Sequence, residues 1–235
     1  MIEFNKISKR FGNLQVLNEL DLCISMDGIF AILGPNGSGK TTLIKCLLGM
    51  VQPNSGSISL NSKAILGKWE YRNELNYLPQ IANFPGNLTV FELIEMVKNI
   101  RPKRAEEKAL IELFGLQNSL HKKLGNLSGG TKQKVNLILT FMFDSNLFIL
   151  DEPTTGLDPI ALIHLKELIK LEKAKGKAIL LTTHSISFVN QMADEIVFLL
   201  DGKIYFKGTI MDLKQQTNNS DLENGIAELL AKHYV

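Results

Sequence analysis

The stretch GIFAILGPNGSGKTTLIKCLLG, Gly28–Gly49, decides the fold. Ile29–Leu33 is an unbroken apolar run of strand length, and a helix is expected from about Lys40 to Gly49. Between them GPNGSGKT, Gly34 to Thr41, has the strand–loop–helix setting that a phosphate-binding loop requires. Gly34, Gly37 and Gly39 carry no Cβ, so the backbone N–H groups of the loop can converge on phosphate oxygens, with Pro35, Asn36 and Ser38 completing the turn. The positive end of the following helix points at the same spot. Lys40 is placed to reach the β- and γ-phosphates, and the hydroxyl of Thr41, with Thr42 beside it, to ligate Mg²⁺. A plain glycine-rich turn would match this pattern by chance in about one chain in a hundred of this length.

Outward from the loop, the next informative segment is LFILDEP, Leu147 to Pro153, an apolar strand that ends in adjacent carboxylates. In a parallel sheet the C-terminal strand ends face the ligand crevice. Successive residues of an extended chain point to opposite sides, so the two carboxylates have different work. Asp151 is read as the residue that holds Mg²⁺ through its water shell. Glu152 is left for the attacking water, as general base or as orienting acceptor.

Around these motifs the chain divides into three parts. Residues 1–80 show β-rich runs at Ile2–Ser8, Gln15–Ile24, Ser57–Leu60 and Leu75–Leu78, separated by turn signals such as Gly12-Asn13 and Pro53-Asn54-Ser55-Gly56. From about 85 to 143 the pattern is helical, with Thr89 as N-cap of Val90–Lys98, then Arg104–Phe114 and Lys132–Phe143. Beyond Leu147, strands Leu147–Leu150, Ala178–Thr182 and Glu195–Leu200 alternate with helices Pro159–Lys175 and Ile186–Met192, which argues for a parallel sheet with crossover helices. A last amphipathic helix is expected over Leu222–Ala231.

Composition excludes several classes. The 235 residues are 45% hydrophobic and 21% charged with a net charge of +2, the balance of a globular protein and not that of a broad nucleic-acid-binding surface. Cys23 and Cys46 have no CxxC spacing and read as buried, inert thiols. The basic cluster Lys98, Arg101, Lys103 and Arg104 reads as a solvated face. Apolar runs such as Leu137–Phe143 fall short of the roughly 20 residues that span a bilayer. A cytoplasmic protein is expected, and any membrane process it serves needs another chain to cross the lipid.

Four further elements narrow the field: Gln80 after Leu75–Leu78, LSGG at Leu127–Gly130, GLDP ending in Asp158 and Pro159, and His184 after the strand Ala178–Thr182. The ordered set of P-loop, Gln, LSGG, DE, GLDP and His resembles the ATP-binding-cassette ATPases over essentially the whole chain. That resemblance implies an α/β fold: a P-loop NTPase core of mixed sheet and flanking helices (1–80 and 147–235) with an antiparallel β part, and a helical signature subdomain at about 85–143. It implies ATP and Mg²⁺ as ligands and a head-to-tail dimer with two ATP molecules between the copies. Phe11 falls at the position that stacks on adenine, with Val16 beside it. Gln80 resembles the sensor of Mg²⁺ and γ-phosphate and marks the surface toward a membrane subunit. Ser128, Gly129 and Gly130 match the signature that meets the γ-phosphate held by the opposite copy. Asp158 resembles the dimer-interface residue, and His184 the one that steadies the attacking water.

One departure stands out: the signature usually continues with Gln, and here it is Thr131. The resemblance also implies a role, the ATP-hydrolysing subunit of a transporter, peripheral on the inner face of the cell membrane beside a membrane-spanning partner, with no nucleic acid expected. NYLPQIANFPGNLTVFELIEM and LSGGTKQK look most like cassettes of ABC-2-type exporters, in particular the ATPase serving copper-site maturation in nitrous oxide reductase. The alternative is a soluble cassette ATPase acting on a nucleic-acid or ribosomal partner; those relatives usually carry tandem cassettes or long insertions. A GTPase would want an NKxD motif, and Asn5-Lys6-Ile7-Ser8 lacks its Asp.

Overall fold

Every residue of Gly28–Leu33 is buried. Its side chains alternate between two cores: Ile29, Ala31 and Leu33 enter one, Phe30 and Ile32 the other. A strand covered on both faces belongs in the middle of a sheet. The computed structural model, which describes residues 1–101 and 103–234, places it there.

In chain order the strands are β1 (Ile2–Phe11), β2 (Leu14–Ile24), β3 (Gly28–Leu33), β4 (Ser55–Leu60), β5 (Lys63–Ala64), β6 (Leu75–Leu78), β7 (Leu147–Asp151), β8 (Ala178–Thr182), β9 (Glu195–Leu200) and β10 (Lys203–Gly208). Six of them form a mixed sheet in the order β10-β9-β3-β8-β7-β6. β9, β3, β8, β7 and β6 run parallel, and β10 closes one edge antiparallel to β9. The C-terminal ends of β3, β6, β7 and β8 therefore share one rim, where Gly34, Gln80, Glu152 and Thr183 follow. β8 and β7 sort their residues as β3 does, with Ile179, Leu181, Phe148 and Leu150 in the first core and Leu180, Leu147 and Ile149 in the second.

The second core lies beneath an antiparallel sheet in the order β2-β1-β4-β5, together with helix α1 (Lys40–Leu47). The first core gathers the remaining helices: α2 (Val90–Ile100), α3 (Glu107–Leu113), α4 (Gly129–Phe141), α5 (Pro159–Ala174), α6 (Ile186–Met192), α7 (Ile210–Thr217) and α8 (Leu222–Tyr234). Thr89 caps α2 with a full capping box: its side chain accepts the Glu92 N–H, and Glu92 returns a bond to the Thr89 N–H.

Several expectations need correction. α3 begins at Glu107, not Arg104, because Ala105 is in a β-bridge with Phe143. α4 begins at Gly129, three residues early, because Ser128 caps it against the low helix propensity of two glycines. β10 and α7 were not foreseen. Cys46 is buried but Cys23 is exposed, since alternation along β2 buries Leu22 and Ile24 and turns Cys23 outward.

The basic cluster stays a solvated face at Arg104, which is exposed and 3.6 Å from Glu106, but the other three cations have partners. Lys98 pairs with Glu95 and Glu107, each at 2.7 Å. Arg101 donates to Asn76 Oδ1 at 2.5 Å and to the Leu75 carbonyl at 2.8 Å, and lies over the Phe143 ring. Burial pulls its guanidinium below the usual arginine range. Lys103 bonds the carbonyls of Asn73 and Asp144. Arg101 fastens the end of α2 to β6, and Lys98 joins α2 to α3. Arg101→Met is expected to lower stability by about 1–3 kcal/mol, the cost of leaving buried acceptors short of a donor. Chemical denaturation measures it, and an unchanged midpoint would contradict the fastening role.

Candidate functional site

Gly39, at the N-cap of α1, has φ +107°, and a Cβ there would lie 2.8 Å from the Val16 carbonyl. Only glycine lets the loop pass that close to β2. Gly37, at φ +84°, faces open space. Beside the loop is a cleft of about 320 Å³ lined by Leu14, Val16, Asn36, Gly37, Gly39, Lys40, Thr41, Thr42, Gln80 and Glu152. A groove of about 380 Å³ lies between α3, α4 and α5. Its buried charges are internally paired, Lys177 with Asp144 and Glu172, and it holds none of the expected site residues.

Lys40 is largely buried, and its Nζ donates to the Gly34 carbonyl at 2.7 Å and the Pro35 carbonyl at 3.0 Å. Burial pulls its ammonium below the usual lysine range, against the fields of Glu152 and then Asp151. Thr41 Oγ1 is 3.4 Å from Asp151 Oδ1. Burial pushes the Asp151 carboxyl up, while bonds from Thr182 and Thr41 hold it down.

Glu152 sits just past the end of β7 with φ +49°. That conformation is uncommon for a residue with a side chain. The two carboxylates are thus parted by a left-handed turn as well as by the strand pleat. Thr182 holds the turn: its carbonyl and its Oγ1 each lie 3.1 Å from the Glu152 N, and the same hydroxyl donates to Asp151. His184, largely exposed, brings Nδ1 to 3.0 Å from Glu152 Oε2 without forming an aligned hydrogen bond. Thr182→Val would take the Thr182 donor from Asp151 and leave the Glu152 amide with the Thr182 carbonyl alone. A loss of about 1–3 kcal/mol in stability, together with slower turnover, is expected. Wild-type melting and wild-type rate in this variant would show that Thr182 is not needed.

The cleft gathers Val16, Asn36, Gly37, Gly39, Lys40, Thr41, Thr42, Gln80 and Glu152, with Asp151 joined to it through Thr41. Gly34 and Pro35 meet it through Lys40. Phe11 is not among the lining residues. It pairs with Leu14 across the β1–β2 turn and carries Lys9 Nζ 4.9 Å over its ring. Sequence reasoning missed Leu14 and Thr182; the Thr182-Thr183-His184 run after an apolar strand was the available signal.

Ser128, Gly129 and Gly130 stand outside the cleft at the N-terminus of α4. They are joined instead to the loop that follows Glu152. A Cβ on Gly130 would lie 2.7 Å from the Gly156 carbonyl, Gln133 Nε2 reaches the Pro153 carbonyl at 3.5 Å, and Lys134 pairs with Asp158 at 2.7 Å. Asp158 also caps α5 by accepting the Ala161 N–H at 2.8 Å. The bond from Lys134, then that from Ala161, holds its carboxyl below the usual range.

The buried atoms Ser38 Oγ and Glu152 Oε2 lack a hydrogen-bond partner. The Ser38 hydroxyl can donate, and beside a glycine-lined cradle and a lysine it fits a polyphosphate, whereas Glu152 Oε2 can only accept and suits a water. Among the described residues no cluster of three His, Cys, Asp or Glu side chains could hold a metal. One hydroxyl and one carboxylate, Thr41 and Asp151, instead suit a Mg²⁺ that takes its remaining oxygens from phosphate and water.

Comparison with known proteins agrees with this geometry. The family model described as ABC transporter matches residues 17–155. The Nod factor export ATP-binding protein I of Burkholderia lata is 34% identical over 213 residues, which are 88% of this chain and 70% of that protein. The ABC transporter ATP-binding protein YxlF of Bacillus subtilis is 29% identical over 235 residues, 98% of this chain and 78% of that one. A solved structure of an ATP-binding subunit of an ABC transporter superposes with a TM-score of 0.91 at 30% identity, covering 98% of this chain and 99% of the other. The dimeric post-hydrolysis cassette MJ0796, bound to ADP and Pi, shares the fold with a TM-score of 0.78 at 22% identity, covering 89% of this chain and 98% of that one. The chain belongs to the ABC transporter family, as one of its ATP-binding subunits, an ATPase that takes ATP with Mg²⁺.

Proposed function

We propose that this chain is the motor of an exporter, acting as a head-to-tail pair of copies that drives a separate membrane-spanning subunit from the cytoplasmic face of the membrane. One observation carries the reading: the cleft contains Lys40, Thr41 and Glu152, whereas Ser128, Gly129 and Gly130 lie outside it on an exposed helix start. A nucleotide in the cleft therefore keeps an open side. A second copy can cover it with the Ser128 hydroxyl and the free N–H groups of the first turn of α4. Charge-assisted bonds of this kind contribute about 1.5–3 kcal/mol each, and ADP forfeits those made to the γ-phosphate. Closure is thus tied to ATP and reopening to hydrolysis.

Within each site the residues divide the work. The backbone from Gly34 to Gly39 and the Lys40 ammonium grip the phosphates, and Thr42 continues the first turn of α1. Val16 and Leu14 offer apolar surface to the base, with Phe11 at the adjoining turn. Glu152 accepts the proton of the attacking water, and His184 and Gln80 orient that water from the exposed side. Asp158 holds the signature helix to the loop beyond Glu152. Mg²⁺, when bound, neutralises phosphate charge and would be held by Thr41 and Asp151, with Gln80 at its edge.

Among the described residues no helix is long and apolar enough to cross a membrane, which supports a separate membrane-spanning partner for transport. The export assignment is supported by the name of the Nod factor export relative; a role in copper-site maturation rests on the sequence resemblance alone. Affinity purification of the chain from detergent-solubilised membranes tests the reading. Recovery of a membrane-spanning protein whose presence changes the ATPase rate is expected; recovery with ribosomes or nucleic acid instead would contradict it.

A further inference from the structure

Ser128 and Thr131 form a closed pair at the start of α4. Ser128 Oγ accepts the Thr131 N–H at 3.3 Å and stands 2.8 Å from Thr131 Oγ1, where either hydroxyl can donate. A serine hydroxyl has one proton and two acceptor lone pairs. If Ser128 donates to Thr131, its proton is used inside the turn. If Thr131 donates, both lone pairs of Ser128 are filled, by the Thr131 amide and hydroxyl, and the Ser128 proton must turn outward. A phosphate oxygen only accepts, so it selects the second arrangement. The incoming Thr131 proton then polarises Ser128 into a stronger donor. The glutamine usual at this place in the signature has no hydroxyl on Cβ and cannot make this bond.

We propose that Thr131 is a positioning residue whose hydroxyl orients the Ser128 proton toward the γ-phosphate of the nucleotide held by the other copy. The proposal rests on the two-copy reading above and adds to it the residue that sets the donor. Its effect belongs to closure and not to nucleotide binding by one copy, because Thr131 lies outside the cleft.

Sedimentation velocity of the full chain carrying Glu152→Gln, with Mg²⁺ and ATP, reads the dimerisation constant. Thr131→Val keeps the amide that Ser128 caps and removes only the hydroxyl. A lost hydrogen bond of ordinary strength corresponds to about fivefold, so two equivalent sites should weaken dimerisation by about twenty-five-fold. Thr131→Ala should weaken it equally and Thr131→Ser should restore it, while ADP affinity, measured by calorimetry, stays at the parent value. A Thr131→Val protein that dimerises like its parent overturns the proposal alone. So does a loss that serine fails to rescue or alanine fails to reproduce, since the hydroxyl is then not the cause. A parent that remains monomeric in ATP overturns the two-copy reading and this proposal together.

Discussion

Glu152→Gln is expected to slow ATP turnover by about 10²–10⁴, the range for a lost general base, while nucleotide stays bound. Glutamine has the same shape and can occupy the same left-handed turn, whose amide is held by Thr182. What it lacks is the basic oxygen, and Glu152 Oε2 is a buried atom without a hydrogen-bond partner. That atom is the available proton acceptor beside the phosphate loop. With hydrolysis blocked, the ATP-bound pair of copies should accumulate, which light scattering after gel filtration detects. Turnover at the wild-type rate would remove Glu152 from the chemistry.

Lys40→Ala acts at a different step. Lys40 is 8% exposed, and its ammonium is tied to the Gly34 and Pro35 carbonyls and lies in the fields of Glu152 and Asp151. Removing it takes the cation from the phosphates and leaves two loop carbonyls without their donor. Two charge-assisted bonds from Lys40 to the phosphates, at about 1.5–3 kcal/mol each, imply an affinity loss of at least about 10²-fold. Calorimetric titration with ATP reads this directly. Wild-type affinity would show that the loop does not grip phosphate through Lys40.

The two variants separate binding from chemistry, and both positions were legible before any coordinates. Gly28–Thr41 carries its own context, an apolar strand, a glycine loop and a helix start, and β3 and α1 lie where that stretch placed them. LFILDEP was equally clear as a strand with terminal carboxylates. Local pattern could not show that Glu152 leaves the extended conformation. The turn is imposed by bonds from Thr182, thirty positions along the chain, on the neighbouring strand.

Misjudged positions share that cause. Arg101 and Lys103 lie in a run of basic residues whose partners, Asn76, Leu75, Asn73 and Asp144, come from distant segments. Periodicity alone read them as solvated. The start of α4 was placed late because Gly129-Gly130 looks like a breaker; a serine cap and close contact with Gly156 keep it helical. β10 does alternate about the buried Phe206, but its outward positions include Tyr205 and its inward ones Gly208, which blurs the polar–apolar pattern in the sequence. The link from Lys134 to Asp158 was likewise invisible, although it joins the signature helix to the loop beyond Glu152.

The central claim is that each catalytic site is assembled from two copies, and complementation tests it most directly. Lys40→Ala disables the phosphate loop and spares Ser128; Ser128→Arg does the reverse. Each protein alone should be nearly inactive. In an equal mixture, half the pairs are mixed, and each mixed pair holds one intact site, so ATP hydrolysis should recover to about a quarter of the wild-type rate. A mixture no more active than its separate components would mean that one chain builds its site alone.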